Sequence, residues 1–143
     1  MTSVLMKLPN ALDAQLQREA GVTFFEYLLL AMLTEQPDRT LKMSELAAIT
    51  NASLSRLSHV ARRLEARGLL TRSEDQTDRR CTNATVTAQG FALVEQAAPG
   101  HVETVRRLVV DAVGCDGASG FANSCQAIAE AVDPGGRTSA GEQ

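Results

Sequence analysis

Aromatic side chains are scarce in this 143-residue chain: four Phe, one Tyr and no Trp make up 3% of it. That scarcity disfavours single-strand nucleic-acid binding modes, which stack bases on aromatic platforms. Histidine is equally thin, with only His59 and His101. Cys81, Cys115 and Cys125 form no CxxC pair or other zinc spacing. A metal site would have to be assembled across distant elements, so no metal and no cofactor is expected. An odd cysteine count in such a chain predicts reduced thiols, with Cys81 as a packing residue. No run approaches the roughly 18–20 apolar residues of a membrane span. The N-terminal stretch MTSVLMKLPN lacks a signal-peptide core. A cytoplasmic protein without a membrane partner is expected. GxSxG, P-loop, HExxH and Cys-His arrangements are missing too, and the polar residues do not converge on an acid/base pair, which argues against an enzyme.

What is present concentrates in Thr50–Gly90. Leu57, Val60, Ala61 and Leu64 recur at helical spacing and give one apolar face. Ser55, Arg56, Ser58, His59, Arg62 and Arg63 fall mostly outside it. Ser53 suits the N-cap, because its hydroxyl can accept from an unpaired backbone N–H. Gly68 suits the left-handed residue after a helix. Leu69–Ser73 and Cys81–Val86 read as two short strands around a polar turn, Glu74–Arg80. Seven of the fourteen basic residues lie between Asn51 and Arg80, against four acids, so this segment is net +3 in a chain of net charge −3. All seven are Arg, whose guanidinium grips phosphate or guanine in a bidentate manner. A solvated, salt-bridged surface would also explain a charge run. The basic hairpin behind the helix favours instead a winged helix-turn-helix that contacts nucleic acid.

Along the rest of the chain, Leu8–Ala20 is expected to be a helix with Pro9 in its first turn and Gly21 at its end. Thr23 and Glu26 form a capping box for a helix running to about Glu35, apolar nearly all round and therefore central. Tyr27 lies on it. Thr40–Met43 is a candidate short strand. Ser44 is expected to open a helix whose Leu46 and Ile49 pack on Leu57 and Val60. Thr87 caps a helix from Ala88 to about Gly114, in which Pro99-Gly100 should produce a kink or break. Phe121 to Val132 reads as a final amphipathic helix. The fold class is thus mostly α with a small β-hairpin wing. Residues 1–22 and 91–132 supply dimerisation helices, 23–90 the winged helix-turn-helix, and 133–143 a disordered tail. A homodimer would present two recognition helices about one DNA turn apart, on a pseudo-palindromic site.

The Ser44-Glu45-Leu46-Ala47 helix start, the RLEARGLL passage at Arg63–Leu70 and the Asp78-Arg79-Arg80 wing, followed by Val86-Thr87-Ala88-Gln89-Gly90, resemble the MarR family of bacterial winged-helix transcription regulators. The family's LTxxG has Leu where this chain has Val86. The resemblance implies a dimer whose recognition helices enter successive major grooves while the wings reach flanking minor grooves. It places Ser53, Ser55, Arg56, Ser58 and His59 on the groove-facing part of the recognition helix. His59 stands where many members carry Arg. Arg80 matches the minor-groove arginine and Asp78 the carboxylate that orients it. Arg62, Arg63 and Arg72 are read as phosphate or structural contacts, Arg63 with the option of facing inward. Many members bind small phenolic or aromatic acids between the dimer helices and the DNA-binding lobe, and Tyr27 and His101 are the candidate residues for such an effector. The branch that senses organic hydroperoxide uses an N-terminal cysteine, and none precedes Cys81 here. The leading reading is a sequence-specific double-stranded-DNA regulator, a repressor; the alternative is a winged-helix protein-interaction module.

Overall fold

The computed structural model describes residues 1–133; the tail reading for 133–143 lies, from 134 onward, outside the described residues. Helix α1 spans Thr2–Ala20, α2 Phe24–Thr34, α3 Met43–Ile49 and α4 Leu54–Ala66, with strand β1 at Thr40–Lys42 ahead of α3. Strands β2 (Leu70–Glu74) and β3 (Thr82–Val86) follow, then α5 (Ala88–Val105), a π-helical segment at Arg106–Val110, α6 (Asp111–Val113) and α7 (Cys115–Val132). This is a mostly helical winged helix with one small antiparallel sheet.

The caps explain most of the boundaries. Thr23 Oγ1 accepts from Glu26 N at 3.1 Å while Glu26 Oε2 accepts from Thr23 N at 2.8 Å, completing the capping box of α2. Ser53 Oγ accepts from Arg56 N at 3.1 Å and Thr87 Oγ1 from Gly90 N at 3.0 Å. Each side chain satisfies a backbone donor that the helix itself leaves unpaired. Gly68 carries φ +70°, the left-handed value that glycine adopts without strain.

The sheet order is β1-β3-β2, with Thr40 opposite Thr85 and Leu70 opposite Val86. The hydroxyls of Thr40 and Thr85 lie 2.7 Å apart across the first pair. The core sits between α1, α2, α4 and the sheet. Leu16, Leu29, Leu30, Leu33, Leu46, Leu57, Leu64 and Leu70 are its largest fully buried side chains.

Five expectations need correction. Helix α1 starts at Thr2, so Pro9 lies inside it rather than in its first turn. Residues 1–7 are exposed, Leu5 at 67%, so this first stretch contributes little to the core. Helix α3 opens one residue earlier than Ser44, with Lys42 in the cap position and Glu45 Oε2 accepting from Lys42 N at 3.2 Å. Ile49 is exposed and takes no part in the core between α3 and α4. Pro99 does not break α5, which continues to Val105; the departure from α geometry comes at Arg106–Val110, and the chain turns at Gly114. The final helix begins at Cys115, six residues before Phe121, and none of its residues is buried.

Gly90 explains the glycine of the Val86-Thr87-Ala88-Gln89-Gly90 passage. A Cβ there would stand 2.1 Å from the Leu69 carbonyl oxygen and 2.7 Å from Val86 Cγ2. No side chain fits without moving the backbone that joins α5 to the wing. Gly90→Ala is therefore expected to lower unfolding free energy by about 2 kcal/mol or more. Leu64→Ala should cost about 2–5 kcal/mol through the cavity it leaves. Urea denaturation of both variants checks the pair; a wild-type midpoint for Gly90→Ala would show that the approach of α5 to Leu69 is not obligatory.

Candidate nucleic-acid interface

Helix α4 buries Leu57, Val60, Ala61 and Leu64 and leaves three polar sides. With 3.6 residues per turn, Ser55, His59 and Arg62 fall opposite the buried stripe, and all three are exposed. On one flank, Arg56 lays its guanidinium 4.5 Å from the ring centroid of Phe25 in α2. On the same flank, Arg63 donates from Nε to Glu26 Oε1 at 3.2 Å and pairs through Nη2 as well. Arg67 donates to Gly21 O at 2.9 Å. On the other flank, half-buried Ser58 lines a cleft of about 270 Å³ with Leu54, Arg72, Arg80 and Cys81, between the helix and the wing. Ser53 is exposed at the cap, so the start of α4 is open to solvent.

The structure therefore separates two kinds of arginine that the sequence lists together. Arg63 and Arg72 are taken up by carboxylates of the chain. Burial opposes ionisation of Glu26, but the Thr23 N–H and the Arg63 guanidinium outweigh it, and the carboxyl lies below its ordinary value. Arg72 donates from Nη2 to Glu65 Oε2 at 2.8 Å and from its backbone N to Glu65 Oε1 at 3.2 Å, tying β2 to α4. These bonds hold the Glu65 carboxyl down as well. Arg62 and Arg79 are exposed and make no hydrogen bond or ion pair to an acid among the described residues.

Arg80, on the wing, has a side chain 90% exposed. It is not loose. Its Nε donates to Asp78 Oδ1 at 3.0 Å, its Nη2 to Asp78 Oδ2 at 3.1 Å, and its backbone N to Asp78 Oδ1 at 3.1 Å. Asp78 thus brackets Arg80, and the Arg80 bonds hold its carboxyl below the usual range. A buried carboxylate that the sequence did not single out, Asp75, lies at the wing base. Its Oδ1 accepts from the Thr77 hydroxyl, from Thr77 N at 2.8 Å and from Asp78 N at 3.0 Å. Its Oδ2 accepts from Asn83 Nδ2 at 3.1 Å. These donors, the Thr77 hydroxyl foremost, push Asp75 far below ordinary carboxylates. The local signal for it is an Asp followed two residues on by Thr at a turn.

Tyr27 and His101, the candidate effector residues, do meet. Their ring centroids are 4.8 Å apart, and Phe24 stands 5.7 Å from His101. His101 Nδ1 lies 3.2 Å from Gln15 Oε1 on α1. Burial lowers the His101 pKa and, with Glu35 nearby, raises that of the Tyr27 hydroxyl. Neither residue lines the larger cleft of about 410 Å³, which runs between α1 and α5 past Glu19, Gln89, Leu93 and Gln96. Among the described residues, no three His, Cys, Asp or Glu side chains are grouped so as to hold a metal ion. No described helix is long and apolar enough to cross a membrane.

Residues 20–80 match the MarR family. The whole structure is similar to Sco3205, a MarR family transcriptional regulator from Streptomyces coelicolor solved in complex with DNA: TM-score 0.89 and 36% identity over 94% of this chain and 84% of that one. The chain belongs to the MarR family. AbsC, another MarR family regulator from Streptomyces coelicolor, superposes with a TM-score of 0.85 and 33% identity, covering 92% of this chain and 88% of its own. The transcriptional repressor MprA of Escherichia coli K12 is 26% identical over 88 residues, 62% of this chain; the match spans half of that repressor's length. Arg62 sits on α4, and the Arg80–Asp78 bracket in the loop between β2 and β3, of this MarR-family fold.

The two classes of arginine should respond differently to removal. Arg63→Ala is expected to lower unfolding free energy by about 1–2 kcal/mol, less than a fully buried pair because half of its side chain meets solvent. Arg62→Ala should stay within about 0.5 kcal/mol of wild type. Because the folded pKa of Glu26 is depressed from its ordinary 4.5, its contribution is present above that value and is lost as pH falls through the folded pKa. The stability gap between wild type and Glu26→Gln should accordingly be full at neutral pH and narrow below pH 4.5. Chemical denaturation across pH checks this; a gap independent of pH would assign the effect to packing.

Proposed function

We propose that this MarR-family chain acts as a homodimer that binds double-stranded DNA in a sequence-specific manner and represses transcription from a pseudo-palindromic operator. The observation that carries the reading is the wing: Arg80, 90% exposed, held in a bidentate bracket by Asp78. An acid beside a DNA-facing arginine would be repulsive to phosphate unless it orients that arginine, so the bracket favours insertion of Arg80 into a minor groove. Next to it, α4 offers Ser55, His59 and Arg62 to a major groove, with Ser53 and Ser58 at its edges. Arg56 reaches the same groove by leaving the Phe25 face. Arg63 and Arg72 serve the shape of the site by fixing α4 to α2 and β2. Sco3205 in its DNA complex and the repressor MprA support DNA as partner and repression as outcome.

Dimerisation is supported by apolar residues that the single chain leaves bare: Leu5 and Met6 on α1, Val102 on α5, and Phe121, Ile128 and Val132 on α7. Large exposed apolar groups on helices at both ends of a chain fit burial against a second copy. Release by a small phenolic or aromatic ligand at Tyr27 and His101 completes the reading; the ring cluster they form with Phe24 supports it. A ligand there would shift the balance between DNA-competent and incompetent spacings of the two lobes.

Fluorescence anisotropy with DNA from upstream of the protein's own gene, titrated with salt and with scrambled competitor, tests the function. Tight binding that scrambled DNA does not displace and that falls steeply with salt is expected. Arg80→Ala should weaken it about 5- to 100-fold. Weak binding that any duplex displaces would favour the protein-interaction alternative. A chain ending at Gly114 should run as a monomer in light scattering and lose operator binding; a dimer of unchanged affinity would remove α7 from the assembly.

A further inference from the structure

The wing tip between β2 and β3 is a short, mostly polar loop, residues 75–81. Its conformation rests on hydrogen bonds, and four of them end on one side chain. Asp75 N donates to Cys81 O at 2.9 Å and Cys81 N to Asp78 O at 2.8 Å, which closes the loop on itself. Inside that loop, the Asp75 carboxylate gathers Thr77 N, the Thr77 hydroxyl and Asp78 N on Oδ1. Its other oxygen takes Asn83 Nδ2 from β3 at 3.1 Å and stands 4.0 Å from Lys42 Nζ on β1. The side chain is only 11% exposed. One carboxylate therefore anchors the tip to two strands of the sheet.

The same carboxylate fixes the backbone of Asp78, and Asp78 in turn holds the backbone N–H and guanidinium of Arg80. Among the described residues, no other acid lies within ion-pair distance of Arg80. We propose that Asp75 is a positioning residue for DNA binding: acting through Asp78, it presents Arg80 in the geometry that the minor groove accepts. This rests on the DNA-binding reading above. The contribution is pre-organisation, since a tip already ordered in the free protein loses less conformational freedom on binding.

Electrostatics and pre-organisation make opposite predictions here. Asp75 is an anion close to a polyanion, so if charge alone mattered, its removal would tighten binding and leave other features alone. If it positions Arg80, removal weakens binding, and does so only while Arg80 is present. The test is a double-mutant cycle on Asp75→Ala, Arg80→Ala and the double variant. The probe is a duplex selected by the wild-type protein from a random-sequence pool, read by anisotropy, with a urea midpoint recorded for each chain. Asp75→Ala should bind about 5- to 20-fold more weakly than wild type, while the double variant binds no more weakly than Arg80→Ala alone. Asp75→Asn, which keeps the Oδ1 acceptor, should fall between. Thr77→Val, a change that leaves both carboxylates in place, should shift affinity the same way by a smaller factor.

Asp75→Ala binding as tightly as wild type or tighter, with Arg80→Ala impaired, would overturn this proposal and leave the DNA-binding reading standing. So would a loss that persists in full in the Arg80→Ala background, which would mark a general structural role. A wild-type protein that selects no duplex, or an Arg80→Ala chain that binds like wild type, would overturn the wing reading and this proposal together.

Discussion

Glu26, a carboxylate with 4% exposure, ties the start of α2 to α4. Its Oε2 receives the Thr23 N–H that opens α2, and its Oε1 receives the Arg63 guanidinium from α4. Next to it, Arg67 reaches the Gly21 carbonyl at the end of α1, and Asp13 on α1 accepts from Phe24 N at 2.8 Å. Helix α4 is thereby attached to the junction of α1 and α2. An unpaired carboxylate in that position would be costly, so the pair and the cap are mutually dependent. Every feature proposed to touch DNA from α4 inherits its orientation from this junction.

What the sequence discloses about this molecule follows the range of the interactions involved. The caps at Thr23, Ser53 and Thr87 and the left-handed Gly68 are legible because donor, acceptor and signal lie within four residues of one another, and the two strands of the wing because a polar turn separates them. The Arg80–Asp78 bracket is legible for the same reason. Arg63 is harder: its partner is 37 residues away, so composition places it with the DNA-facing arginines until the ion pair is seen. Asp75 is harder still, because Lys42 and Asn83 reach it only after the sheet has formed. Proline misleads in both long helices. Pro9 and Pro99 each lie inside a continuous helix, where flanking helical residues and packing between α1 and α5 outweigh the missing N–H.

The wing and the helix face solve different physical problems. A helix presents side chains at fixed angles because its backbone is rigid, so exposed Ser55, His59 and Arg62 need no support beyond their own turns. A hairpin tip has no such scaffold. It has to be stiffened by polar contacts, and carboxylates are the acceptors that can take several N–H groups at once. That is why Asp75 and Asp78 occur at the tip of the most basic part of the chain, where simple charge counting would exclude them. Within Asn51–Arg80, Asp75 is buried and Glu65 and Asp78 are paired with Arg72 and Arg80, while Arg62 and Arg79 face out.

The π segment at Arg106–Val110 bears on how the end of the chain is aimed. Such a segment is equivalent to an α-helix with one residue inserted. One residue turns a helix by about 100°. The residues after Arg106–Val110 are therefore turned by about that angle from the positions an uninterrupted α-helix would give them. Deleting a single residue there would leave the composition nearly unchanged, yet would rotate α6 and α7 to another azimuth around the axis. The azimuth of the C-terminal arm, and with it the direction from which a second copy could approach, is set by a counting property of the chain more than by any contact it makes.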